Sequence, residues 1–464
     1  MNTKLLQSKA VLLPAMVALA VVFGLAGTVV GWKGFVAASA GLAGAFVLVR
    51  YASALWILLV ALLAFSVEIR IPGTGAEVVV PTEGLIPALA VVALAKVFLR
   101  GKFRWTASRL NAPVALFVLA MAATLLASGD RGVTLKAVVR DFSYLVAGFF
   151  LIRSFLTTRA RLRALLLARL VVTVTIVAYG LYTQFTEGIR IYQLIARPFF
   201  REYSVYAALL AMDFAVLSAF VLEYPRSGLR WIGIGVLGFW GFALAMTFSR
   251  GAWLSVFALV AFYACLERRQ IDLKVFIAVI MVLVLGVGIV GSLQVSELFS
   301  QRMEHLTDIR FLTNYDRIDR WMAALSMFSE HPLLGVGWGR YADEYYRYIF
   351  YIDAYSTDIR MGAHNLYLEM LAESGLVGLG SFLILLALFA TEAQRLRRRT
   401  TDRFYRAVLT GAMGALLTYL VHAFVNNLGP SDKIGITFWV LIGLAPVVGR
   451  LMEQPQPPQT RGSD

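Results

Sequence analysis

Two short stretches of this 464-residue chain combine residue types that can hold an anion and move a proton. In Phe248-Ser249-Arg250-Gly251-Ala252-Trp253 an arginine opens an apolar run, after a serine able to cap a helix and before a glycine that permits close approach. A helix N-terminus joined to a guanidinium makes an anion site, and the planar fork suits phosphate. A lone arginine here reads equally as one that snorkels to a membrane surface. In Gly362-Ala363-His364-Asn365-Leu366-Tyr367-Leu368-Glu369 a histidine stands where another apolar run begins. The positive end of a helix dipole disfavours imidazolium, so this histidine can stay neutral near pH 7 and serve as a general base; capping is the bland alternative. Asn365, Glu369 and Glu373 follow at four-residue spacing and give the run one polar face. Asn365 and Glu369 are candidates to orient His364 or a sugar, and Glu373 suits an interhelical hydrogen bond.

More arginines cluster beyond these stretches. Segment 187–203 carries Arg190, Arg197 and Arg201, and segment 294–363 holds seven arginines, Arg317 among them, and no lysine. Pairing with Glu202, Asp308, Asp316 or Asp319, or contact with lipid phosphate, competes with substrate binding at each position. The four histidines, His305, His331, His364 and His422, show no metal-ligand spacing, and with a single cysteine, Cys265, neither a metal site nor a disulfide framework is expected. No cofactor is implied. Arg140, Asp141 and Asp213 are charges inside apolar runs, expected to pair with one another as structure.

The elements that must position these residues are membrane helices. Hydrophobic residues make up 59% of the chain, charged ones only 15%, and mean hydropathy is +0.73, whereas a soluble protein carries about 25% charged residues. Apolar runs of about 17–25 residues recur along the chain, the length that crosses a bilayer. Open backbone cannot sit in hydrocarbon, and the weak alternation of a barrel is absent, so the expected fold is all-α: a polytopic transmembrane bundle of about 12–14 helices. The spacing predicts helices at 11–31, 34–50, 53–69, 82–99, 112–128, 134–156, 165–186, 204–222, 230–248, 251–266, 273–293, 364–390, 405–427 and 434–450. The run from Val11 to Val30 is long enough to span, so it reads as a first helix rather than a cleaved leader.

Basic residues set the orientation. With the N-terminus inside, the inner segments hold about 25 lysines and arginines against about 9 in the short outer loops. The charge of +15 is thus a topology signal and a contact with anionic lipid, not a nucleic-acid surface. Both termini fall on the inner side, while the turn at Arg250, segment 187–203 and the loop 294–363 fall outside. The expected divisions are an N-terminal bundle over 1–293 of about eleven helices, the long loop 294–363, C-terminal helices over 364–452, and a disordered inner tail over 453–464. Within the loop, 317–328 reads as an amphipathic helix whose Trp321, Leu325 and Phe328 pack on the bundle or lie among headgroups. It stops at His331-Pro332, where Gly335, Gly337 and Gly339 begin a turn-rich stretch.

Three stretches together resemble the family of O-antigen ligases and O-antigen polymerases. They are Phe-Ser-Arg-Gly-Ala at 248–252, Arg317 to Tyr341 with Glu-His-Pro-Leu-Leu-Gly-Val-Gly-Trp-Gly, and Ala-His-Asn-Leu-Tyr-Leu-Glu at 363–369 followed by Glu-Ser-Gly-Leu-Val-Gly. The motifs cover roughly the C-terminal half; the first helices are similar only in hydropathy. The resemblance implies a metal-independent glycosyltransferase of the bacterial inner membrane, acting at its periplasmic face. Its donor would be a glycan on undecaprenyl pyrophosphate, and its acceptor lipid A-core for a ligase, or another lipid-linked glycan for an O-antigen or exopolysaccharide polymerase. The family's base falls on His364 and its pyrophosphate-binding arginine on Arg250. A second donor arginine falls on Arg197 or Arg201, because Arg197-Pro-Phe-Phe-Arg201-Glu-Tyr-Ser departs from the family's Arg-x-x-Gly pattern. Two other functions stay open: a transporter or flippase without chemistry, and an oligosaccharyltransferase acting on protein hydroxyls.

Overall fold

The computed structural model describes residues 44, 46–70, 77–100, 108–187, 195–266, 312–349, 362–429 and 431–454. The expected helices at 11–31 and 273–293, most of the one at 34–50, and the tail from 455 lie outside the described residues. The remainder is a helical bundle. Its helices are α1 (Phe46–Phe65), α2 (Thr82–Arg100), α3 (Asn111–Ala127), α4 (Arg131–Leu145) and α5 (Leu151–Phe155). They continue as α6 (Arg159–Glu187), α7 (Tyr203–Glu223), α8 (Leu229–Met246), α9 (Arg250–Leu266), α10 (Leu312–Glu330) and the single turn α11 (Tyr341–Glu344). The last are α12 (Leu366–Arg399), α13 (Arg403–His422) and α14 (Asp432–Met452). Seven are long and apolar enough to cross a membrane, and shorter apolar stretches in α2, α3 and α9 accompany them. The chain is a multi-pass membrane protein.

Short polar side chains start several helices. Asp130 accepts from the N–H groups of Gly132 and Val133, Asn365 from Tyr367 and Leu368, and Asp402 from Phe404 and Tyr405. Each satisfies donors that the first turn leaves unbonded. Packing is closest where residues are small. Ala207, Ala208, Ala211, Ala215 and Ala219 of α7 are all buried, and a methyl on Gly411 of α13 would lie 3.0 Å from the Val216 Cα. In lipid, where burial supplies little driving force between helices, such close approach is what holds spans together. α13 thereby sits between α7 and α9, and α14 packs along α4 and the π turn Val146–Phe150 that joins α4 to α5.

The two ends of the bundle differ. At one end arginines tie the helices together: Arg159 grips Asp402 at 2.5 Å, Arg406 meets Glu223 at 3.2 Å, and Arg450 donates to the carbonyls of Arg153 and Leu156 at 2.7 Å. At the opposite end lie the turns before α4, α7, α9, α12 and α14, together with the segment 332–349. The turn at Arg250 and the segment around His364 are therefore at one end, and residues 395–406 at the other.

Four local expectations change. Arg50 and Tyr51 do not separate two helices; α1 runs through them, with the Arg50 guanidinium 5.6 Å from the Tyr51 ring centre. The predicted helix to residue 69 stops at Phe65, and Val67–Arg70 pairs antiparallel with Glu77–Val80 (β1, β2), the β-branched, alternating Val-Glu-Ile-Arg favouring a strand outside the bundle. Asp213 pairs with Arg169 at 3.0 Å rather than with Arg140, which instead forks onto its neighbour Asp141 at 2.9 and 3.1 Å. The amphipathic helix α10 turns a different face inward. Asp319, Arg320, Ala323, Ala324 and Met327 are buried, Leu325 is 49% exposed, and Trp321 and Phe328 are half-buried.

Candidate active site

The site is built on a broken helix. α12 has one non-helical residue, Gly375, at φ 58° and ψ −159°, backbone that only glycine adopts readily. Segment 332–337 splices the break. The N–H groups of Val336 and Gly337 donate to the carbonyls of Ala372 and Glu373 at 2.9 and 3.0 Å, while those of Leu376 and Val377 donate to Pro332 and Leu333 at 2.9 and 3.2 Å. Glycines make the crossing possible from both sides. A methyl on Gly335 would fall 2.3 Å from the Glu373 carbonyl carbon, and one on Gly375 would fall 2.4 Å from that of Leu333. Past the crossing, Trp338 donates to Asp141 at 2.6 Å and Arg340 pairs with Glu344. Glu373 accepts from the Tyr341 N–H at 2.9 Å, the interhelical hydrogen bond the sequence suggested, here from α12 to the start of α11. The Tyr341 hydroxyl donates to the Arg320 carbonyl at 2.7 Å, and burial pushes its phenol well above the ordinary value, so it stays a donor.

This frame fixes the turn that carries His364. The helix proper begins at Leu366, with Asn365 as its cap, so His364 stands on the turn just before the cap, at φ 52° and half-buried. The turn is held on both flanks. Glu369 accepts the Ala363 N–H at 2.8 Å and the Asn427 side-chain amide at 2.5 Å. Arg320 Nη1 reaches the Gly362 carbonyl at 3.4 Å, with its guanidinium 4.7 Å from the centre of the Tyr345 ring. Leu366 donates to the Ala423 carbonyl at 2.9 Å, which ties the turn to the end of α13.

Arg250 is placed by a second tight turn. Phe248 takes φ 52°, and Arg250 is the first residue of α9, half-buried. The turn is pinned from beneath, with Gln184 donating to the Met246 carbonyl and Trp253 to that of Leu244, each at 3.0 Å. The Ser249 hydroxyl lies 3.3 Å from His422 Nε2, and Gly251 leaves room for that imidazole. The two turns therefore meet on one segment: His422 contacts the Arg250 turn, while Ala423 and Asn427 hold the His364 turn. Arg317 belongs to the same group, since its charge acts on His422, and the Tyr203 hydroxyl feels both Arg250 and Arg317.

Arg197 and Arg201 lie on the turn before α7. Phe199 packs edge-on against Phe65 at 5.0 Å and Tyr179 at 5.5 Å, and the Tyr179 hydroxyl donates to the Arg197 carbonyl at 2.7 Å. Both arginine side chains are exposed; that of Arg201 meets Glu68 of β1 at 2.7 Å. Among the described residues, the non-glycine positions with left-handed φ are Ala196, Phe248 and His364. Each is one of the sequence's candidate site residues or lies within two positions of one. Such backbone costs about 1–3 kcal/mol and clusters at functional sites. Among the described residues, no three His, Cys, Asp or Glu side chains group as metal ligands would.

His422, Asn427, Arg320 and Tyr203 escaped the sequence reading. An ionisable residue near the end of an apolar helix was a signal for His422. Nothing marked Asn427, whose partner lies 58 residues away.

Fold and site together define a polytopic membrane protein with a cationic, histidine-bearing centre at one end of its bundle. Residues 234–383 match the family model described as O-antigen ligase. The resemblance drawn from the three motifs holds over that stretch. The match runs from α8 into α12 and contains Arg250, Arg317, His364, Asn365 and Glu369; Arg197, Arg201, His422 and Asn427 lie outside it. No curated protein matches the chain.

Proposed function

We propose that the chain transfers a glycan from undecaprenyl pyrophosphate to an acceptor hydroxyl at the periplasmic face of the bacterial inner membrane. The observation that carries this reading is the meeting of the Arg250 and His364 turns on the segment His422–Asn427. His364 takes the proton of the acceptor hydroxyl, a step worth roughly 10²–10⁴-fold in rate. The freed oxygen attacks the anomeric carbon, the carbon–oxygen bond to pyrophosphate breaks, and its electron pair leaves with the pyrophosphate. Arg250, with Arg197 or Arg201 and with Arg317 nearby, stabilises that charge by preorganised donors. A single displacement inverts the anomeric centre. Asn365 and Glu369 act by positioning the His364 turn.

The arginine-rich end of the bundle supports a cytoplasmic assignment for both termini and for residues 453–464, with 294–363 as the periplasmic loop between bundles 1–293 and 364–452. A flippase or polysaccharide transporter would want discontinuous helices, repeat symmetry and coupling charges at mid-membrane; the break in α12 at Gly375 meets the first, whereas Asp213 and Asp141 are each paired with arginine. The test supplies purified protein with lipid-linked glycan and, separately, lipid A-core, a second lipid-linked glycan and a protein acceptor. Extension of one of the first two supports ligase or polymerase activity, and extension of the protein reassigns the acceptor. Failure to extend any of them, with glycan lipid moved across a bilayer instead, refutes the reading.

A further inference from the structure

Far from the His364 turn, α6, α7, α8 and α14 line a partly open apolar cavity of about 580 Å³ among the described residues. Its volume lies within the roughly 300–1,000 Å³ range of ligand sites. Along α6 the lining runs from Arg163 to Thr173, along α7 from Tyr224 back to Asp213, and along α8 from Leu229 to Trp240. Each stretch is eleven or twelve residues, about 16 Å of helix, which is half of a hydrocarbon core about 30 Å thick. The cavity thus spans one leaflet. At its arginine-rich end Arg163 and Arg230 line it from different helices beside Tyr224 and Ser227. About 9 Å deeper along α6, Arg169 binds Asp213 and the Val60 carbonyl and leaves Nη2 without a protein partner.

Apolar walls one leaflet deep under a cationic rim match one ligand chemistry. We propose that this cavity binds an anionic diacyl phospholipid of the leaflet at the arginine-rich end. An acyl chain lies along Leu217, Val236 and Leu441, the phosphate sits between Arg163 and Arg230, and an ester carbonyl faces Arg169 Nη2. Each arginine near an anionic headgroup contributes about fivefold in affinity.

The test uses the full-length protein, delipidated in detergent and titrated with phosphatidylglycerol, phosphatidylcholine, undecaprenyl phosphate or inorganic phosphate, and reads bound lipid by native mass spectrometry. Phosphatidylglycerol with brominated acyl chains should quench Trp240, which lines the cavity, and the quenching should be lost in Trp240→Phe. Wild type should retain one phosphatidylglycerol. Arg163→Gln/Arg230→Gln should weaken that binding about 25-fold without weakening the residual phosphatidylcholine binding. The cavity-filling Val236→Phe should weaken both diacyl lipids, and inorganic phosphate should neither bind nor compete. Equal retention of phosphatidylcholine, unchanged binding in the double variant, preference for undecaprenyl phosphate, or no bound lipid because the chain's own residues fill the cavity would each overturn the proposal. Should either variant misfold, the quenching of Trp240 in wild type still decides the matter.

Discussion

Alanine at Gly375 would place a methyl carbon 2.4 Å from both the carbonyl carbon and the oxygen of Leu333, backbone atoms that no side-chain rotation can move. The residue would also keep φ near 58° and ψ near −159°, a region costing a side chain about 1–3 kcal/mol. Relief requires segment 332–337 to lift from α12. Four backbone hydrogen bonds hold it there, those of Val336, Gly337, Leu376 and Val377. At about 1 kcal/mol net each they represent about 4 kcal/mol. Gly375→Ala should therefore weaken docking of the segment by about 3–5 kcal/mol, and those four amides should exchange hydrogen at least about 100-fold faster. The His364 turn loses its brace, so glycan transfer should fall while the protein still inserts and purifies. Gly380→Ala is the control, since a methyl there meets nothing within 4 Å and alanine favours a helix by about 1 kcal/mol. Exchange mass spectrometry that found residues 332–341 as protected in Gly375→Ala as in wild type, with normal transfer, would refute the splice as a support of the site.

His364→Ala should reduce transfer at least about 100-fold with donor binding retained, because a base acts on the acceptor proton; activity within about tenfold would leave His364 a turn residue. Arg250→Lys keeps charge but loses the bidentate fork, so donor binding and turnover should both suffer, whereas a snorkelling arginine would tolerate lysine. The same substitution at Arg197 and at Arg201 separates them: the donor ligand is impaired, and near-normal behaviour of all three variants would reject the clamp. With Cys265 replaced by serine, cysteines at Ser329 and Arg398, both exposed, should label from opposite faces of the membrane; labelling from one face would reverse the topology.

Among the described residues hydropathy made the spans from α2 onward readable, because lipid imposes length and composition on any crossing helix, although α6 starts six residues before its predicted position and α12 runs nine residues past its own. It failed where the environment was not lipid. α10 buries Asp319 and Arg320 because it packs on the polar start of α12, so the apolar stripe of Trp321, Leu325 and Phe328 was a poor guide to its inner face. The break at Gly375 was hidden in a Glu-Ser-Gly-Leu run that continues a helical pattern, since the hydrogen bonds that permit it come from residues about 40 positions earlier. The Ser-Arg-Gly turn and His364 were legible as residue types at helix starts. That both rest on His422–Asn427 was not, because contacts between helices distant in sequence leave no local trace.

α13 and α14 are among the most buried spans, wedged between helices that precede them in the chain. The ribosome therefore releases the centre of the bundle after its walls. Until Arg403–Met452 has been threaded in, α4, α7 and α9 must wait in the bilayer with the faces that α13 and α14 will cover turned to lipid or to insertion factors. The segment His422–Asn427, on which both site turns rest, arrives in the same late step. A polypeptide stopped after α12 would lack its interior and not merely a terminal module, so insertion of α13 and α14 and formation of the candidate site are a single assembly event.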